Sequence, residues 1–146
     1  MSRIAHFVMA AAVAAGSLLT GPNLSYAADV VARQEEGTSL CSDQRYLNKI
    51  IHRFGYQVKH VPNLPDVAIT DFQNIYPKRY EPVDERHPIA RLYCGATASL
   101  SDGRQHEVFY LIEGRMGFAG IGDNVEFCVP GFDRWMVYNG RCRVLR

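Results

Sequence analysis

The sequence predicts an α+β domain: one N-terminal amphipathic helix packed on an antiparallel sheet of four to six strands, cystatin-like or roll type, stapled by disulfides. Three observations carry this expectation. Leu47, Ile50, Ile51, Phe54 and Val58 recur at helical spacing. Ala90, Leu92, Cys94, Ala96, Ala98 and Leu100 alternate with Arg91, Tyr93, Gly95, Thr97 and Ser99, the period of a strand with one buried face. Finally, Cys41, Cys94, Cys128 and Cys142 form an even set with no close pair, since the nearest two are 14 residues apart. Zinc sites bring ligands in short pairs, so this spacing reads as two disulfides instead.

The helix has a start and a stop. Ser42 and Asp43 offer capping oxygens ahead of it, and Pro62 lies beyond its end. Gln44, Lys49, Arg53 and Gln57 fall on the side expected to face water, and Gly55 weakens the last turn. Pro62 and Pro65 bound a connector, after which residues 67–75 (VAITDFQNI) read as an irregular strand. Residues 76–88 (YPKRYEPVDERHP) carry three prolines among many charges and read as a surface loop with a short extended piece near Tyr80.

Downstream of the alternating strand, Asp102-Gly103 favours a tight hairpin turn because both central residues need positive φ. A two-residue loop there would set Ser99 beside His106. The returning strand, His106 to Ile112, is apolar on both sides and should be central. Residues 113–117 make a turn, 118–121 and 125–129 read as two strands or as one strand interrupted at Gly122-Asp123-Asn124, and Pro130-Gly131 stops them. Asn139-Gly140 then predicts a second hairpin between residues 135–138 and 141–145. Proximity in this arrangement pairs Cys41 with Cys94 and Cys128 with Cys142, the other two pairings remaining open.

The first 27 residues have the plan of a secretory signal peptide. Arg3 gives a positive start, Phe7 to Thr20 an apolar run of 14 residues, and Ser25-Tyr26-Ala27 a small-residue cleavage site. The run is too short for a comfortable membrane span, so no transmembrane segment is expected after cleavage. The implied organisation is a signal peptide over 1–27, a flexible arm over 28–40 and a single domain over 41–146, in the periplasm or secreted. The 119 residues left after cleavage carry 15 basic and 15 acidic side chains. That balance argues against nucleic-acid binding and against a polybasic membrane surface.

Nothing in the chain assembles a familiar catalytic set. His52 and His60 are eight residues apart, no H-E-x-x-H or G-x-S-x-G occurs, and Asp84-Glu85 and Glu35-Glu36 lie in polar stretches. No metal and no cofactor are expected. The glycine-rich stretch from Gly114 to Asn124 leads into strand rather than helix, which does not suit a phosphate cradle. Its Arg115 and Phe118 are candidate contact residues on an exposed loop. The stronger candidates are Arg134, Trp135, Tyr138, Arg141 and Arg143 near the C terminus, residue types concentrated in binding hot spots. The plainer alternative puts Trp135 in the core and the arginines on a solvated edge hairpin.

The blocks RLYCGATASLSDGR, GRMGFAGIGDNVEFCV and YNGRCRVLR resemble a group of small exported alphaproteobacterial proteins with no assigned activity. The resemblance covers residues 41–146, implies a periplasmic setting and brings no catalytic residues. The Q-x-V-x-G loop of cystatins is absent. The expectation is a non-enzymatic exported protein that binds an envelope component or a partner protein. The alternatives are a small inhibitor of a hydrolase such as a lysozyme or protease, and an enzyme with an unfamiliar site near Ser99 and His106.

Overall fold

The computed structural model describes residues 36–115 and 122–146. They form α1 (residues 36–41), α2 (Gln44–His60), β1 (Ile69–Glu81), β2 (Arg91–Leu100), β3 (Gln105–Glu113) and β4 (Asn124–Cys128). The strands make one antiparallel meander in the order β1-β2-β3-β4, so the chain is α+β with a four-stranded sheet.

Helix α2 starts where the sequence places it. Asp43 caps it, its carboxylate accepting the Arg45 backbone N–H at 2.8 Å. Lys59 and His60 lie in the last turn, where cations suit the negative end of the helix dipole. Tyr46, Leu47, Ile50, Phe54 and Val58 are buried against Leu92, Cys94, Ala96, Ala98 and Leu100 of β2 and Val108, Tyr110 and Ile112 of β3. The alternation in β2 therefore assigns the helix-facing side as expected.

Four expectations are corrected. Residues 36–40 are not a loose arm but helical, with Gly37 buried so close to Pro77 that a Cβ would come 3.1 Å from its ring; residues 28–35 lie outside the described residues. Among the described residues the amphipathic helix is consequently the second helical segment, not the first. Residues 76–81 are not loop either: β1 runs for 13 residues through Pro77. It is an edge strand, where a missing N–H is tolerated, and three register shifts absorb its irregular sequence. Finally, residues 130–145 contain turns and no strand, so the second hairpin does not exist; residues 118–121 lie outside the described residues.

The hairpin after β2 also shifts by one residue. Gly103 takes φ +81° and its N–H donates to the Leu100 carbonyl at 2.9 Å, while the Leu100 N–H donates to Arg104. That is a three-residue loop rather than a two-residue one. Ser99 therefore pairs with Gln105 and His106 with Ala98. Adjacent residues of a strand point to opposite faces, so Ser99 and His106 are parted.

Both cysteine pairs join as proximity suggests. Cys41–Cys94 ties the end of α1 to β2 with a Cα separation of 5.9 Å, and Cys128–Cys142 ties the end of β4 to the C-terminal segment at 5.6 Å. The buried Tyr110 hydroxyl donates to the Cys41 carbonyl at 2.7 Å, and burial pushes its phenol well above the usual range.

A second, smaller core lies on the sheet face away from α2. Tyr93, Phe109, Leu111, Cys128, Cys142 and Leu145 form it, with Tyr138 packed alongside. The Tyr76 ring crosses this face over Gly95, where a Cβ would come 2.5 Å from the Tyr76 ring.

Candidate functional site

The polar stripe of α2 faces water as expected, Gln44, Lys49 and Arg53 being exposed, and it also reaches across to the segment around β4. The Tyr46 hydroxyl donates to the Asp123 carboxylate, Lys49 Nζ to the Asp123 carbonyl at 3.0 Å, Arg53 to the Val125 carbonyl, and Gln57 Nε2 to the Phe132 carbonyl at 2.9 Å. These residues stand three or four apart, so one helix face runs alongside β4 and the residues flanking it, bonding the Asp123 side chain and the Asp123, Val125 and Phe132 carbonyls. The fixed edge is the frame on which the C-terminal segment is mounted.

That segment wraps the edge from one face to the other. Val129 and Phe132 belong to the helix-side core, whereas Tyr138, Cys142 and Leu145 belong to the opposite one. The Phe132 ring lies 5.0 Å from Phe54 and edge-on to His106 at 5.4 Å, which accounts for His106. Between the two anchors stand Trp135, Met136 and Val137, each about two-thirds exposed at 67%, 69% and 67%.

These three residues are held in place from beneath. Both Asp133 carboxylate oxygens are used, one accepting the Val137 N–H and the other the Tyr138 N–H, each at 2.9 Å. The Met136 N–H donates to the Asp133 carbonyl at 3.1 Å. The backbone is strained: Met136 has φ +53°, and Asn139, Gly140, Arg141 and Cys142 follow with φ between +33° and +61°, a left-handed turn. Each non-glycine residue there costs about 1–2 kcal/mol. Such strain persists only where surrounding contacts enforce it. Here the Cys128 disulfide, buried Leu145 and the bond from Arg143 to the Asn139 side chain at 2.9 Å enforce it.

Arg134, Arg141 and Arg143 are exposed, and among the described residues none makes an ion pair. Arg146 lies 5.8 Å from the Phe109 ring centre, on the second face. Residues 129–146 hold four arginines and a single acidic side chain, the Asp133 already engaged by backbone.

Five of the residues singled out in the sequence thus fall in one segment: Arg134, Trp135, Tyr138, Arg141 and Arg143. Tyr138 is half-buried and supports the segment from below. Burial, then the charges of Glu126 and Asp133, push its phenol up to about 12. Arg115 lies elsewhere, at the opposite end of β4, its backbone N–H donating to Asp123 Oδ1 at 3.1 Å. Phe118 is outside the described residues. Trp135 is exposed rather than part of the core. Sequence reasoning missed Met136 and Val137 as surface residues and Asp133 as their brace; the one available signal was a lone acid in a cationic stretch.

Glu113 is buried, paired with Arg91 at 3.0 Å and contacted by the Asn124 amide at 3.3 Å, a row that crosses β2, β3 and β4. Among the described residues, no group of three His, Cys, Asp or Glu side chains is placed to hold a metal, and no helix is long and apolar enough to cross a membrane. No family model, curated protein or solved structure matches this chain.

Proposed function

We propose that this is an exported, non-enzymatic binding protein of the periplasm or the secreted fraction, whose C-terminal segment contacts an envelope component or partner protein. Two disulfides suit an oxidising compartment, and the signal-peptide plan of residues 1–27 agrees with them. The single observation that carries the reading is the tip at Trp135-Met136-Val137. A large apolar group is kept out of the core by a strained backbone and a dedicated carboxylate brace. Strain maintained to expose a tryptophan is hard to account for as packing.

The test compares capture of envelope material by the wild-type protein and by a variant combining Arg134→Gln, Trp135→Ala and Arg141→Gln. These side chains are exposed, so the fold should survive, whereas Tyr138 is unsuitable because it packs against the second core. Loss of capture with an unchanged unfolding midpoint supports the reading; undiminished capture refutes it.

A second reading has its own support. The tip lies within a loop closed by Cys128–Cys142, a separation of 14 residues. A preordered, disulfide-closed loop loses little entropy on entering a cleft, which suits a hydrolase inhibitor. Inhibition assays against lysozymes and proteases separate this reading from the first.

A further inference from the structure

We infer that the C-terminal tip docks on an anionic phospholipid surface, with Trp135, Met136 and Val137 entering the headgroup region and Arg134, Arg141 and Arg143 contacting lipid phosphates. This rests on the reading of the C-terminal segment as the contact surface and names its occupant.

Three observations favour lipid over a folded partner. The apolar part is three consecutive side chains, each about two-thirds exposed, on a turn rather than in a groove. Protein hot spots instead sit in desolvated pockets ringed by further contacts. The apolar residues include the chain's one tryptophan, whose amphipathic ring favours the membrane–water interface. The flanking charge is all arginine, whose planar fork matches phosphate in a bidentate way, and among the described residues these arginines are free of ion pairs. The balanced charge of the whole chain conceals this local excess.

Geometry adds a further requirement. Insertion needs the tip to keep its shape when it leaves water. The Asp133 oxygens already satisfy the Val137 and Tyr138 N–H groups, so these donors carry no desolvation penalty into the interface. Arg141 and Arg143 follow the left-handed turn, and Arg134 precedes the tip, so cations flank it on both sides along the chain.

The test uses the protein isolated after export and follows its intrinsic fluorescence, to which only Trp135 contributes tryptophan signal. Vesicles of phosphatidylglycerol and phosphatidylcholine in equal parts are compared with vesicles of phosphatidylcholine alone. The expected result is a blue shift of Trp135 emission with the anionic vesicles, reversed by high salt. Replacing Arg134, Arg141 and Arg143 with Gln should weaken binding about fivefold per arginine, on the order of a hundredfold together. Soluble glycerol phosphate should cause no shift.

Absence of binding to anionic vesicles, or binding with Trp135 emission unchanged, overturns the inference. If vesicles fail while wild-type protein still captures a partner protein that the Arg134/Trp135/Arg141 variant does not, the lipid assignment falls and the contact surface stands. If capture is also indifferent to that variant, the surface itself is wrong.

Discussion

Replacing Tyr46 with Phe probes the seam between α2 and β4. Tyr46 is 5% exposed, so phenylalanine preserves its packing and removes only the hydroxyl that donates to Asp123. A hydrogen bond to a charged group contributes about 1.5–3 kcal/mol. Asp123 is half-buried and keeps the Arg115 N–H at 3.1 Å, so the loss should lie at the lower end, about 1.5 kcal/mol at neutral pH.

The pH dependence provides the sharper check. The Tyr46 hydrogen bond, with help from the Arg115 N–H, holds the Asp123 carboxyl below its ordinary 3.8. A depressed carboxyl stabilises the fold above its unfolded value, and that stability disappears as pH falls through the folded one. On the alkaline side burial and then Asp123 push the Tyr46 phenol from 10.0 up to about 12, so its contribution is complete below the first value and lost on approaching the second. Urea denaturation of both proteins at about pH 7 and about pH 3 should therefore show a gap that narrows in acid. A gap below about 0.5 kcal/mol at neutral pH, or one unchanged in acid, would refute the reasoning.

Further predictions concern the C-terminal segment and the sheet. Asp133→Ala removes the acceptor for two backbone N–H groups; it should cost about 1–2 kcal/mol and lower the fluorescence anisotropy of Trp135. Arg141→Gly relieves a left-handed residue at φ +57° and should raise stability by up to about 1 kcal/mol while weakening capture, as read by thermal unfolding and binding. Replacing Cys128 and Cys142 with Ala should cost about 3 kcal/mol, against about 4 for Cys41 and Cys94, because the closed loops differ in length; their sequence separations are 14 and 53. Gly95→Ala puts a Cβ against the Tyr76 ring and should cost about 1–3 kcal/mol by denaturation, a penalty that Tyr76→Ala relieves.

What the sequence discloses follows from where the signal resides. Leu47 to Val58 present one apolar face at helical spacing and Leu92 to Leu100 alternate regularly, so periodicity alone predicts α2 and β2, although β2 proves to be buried on both faces at Tyr93 and Gly95. Proximity in the element order suggests the two disulfides seen while leaving the other pairings open. The errors share a physical origin, which is that tertiary contacts decide them. Pro77 reads as a loop residue until β1 is known to be an edge strand. Lys49, Arg53 and Gln57 read correctly as the wet side, but their bonds to the Asp123, Val125 and Phe132 carbonyls are visible only once β4 is laid beside them. Asn139-Gly140 does adopt positive φ, as its turn signal implies, but Arg141 and Cys142 continue in the same left-handed sense, so no returning strand can pair. Asp133 shows in the sequence only as a lone acid in a cationic stretch, because its role depends on two backbone N–H groups presented by a turn that periodicity does not describe.

The most direct test of the account is hydrogen exchange of the exported protein, free and bound to its own envelope fraction. The account predicts new protection concentrated in residues 133–146, with the outer faces of β1 and β2 unchanged. Protection confined to β1 and β2, with residues 133–146 exchanging as in the free protein, would contradict it.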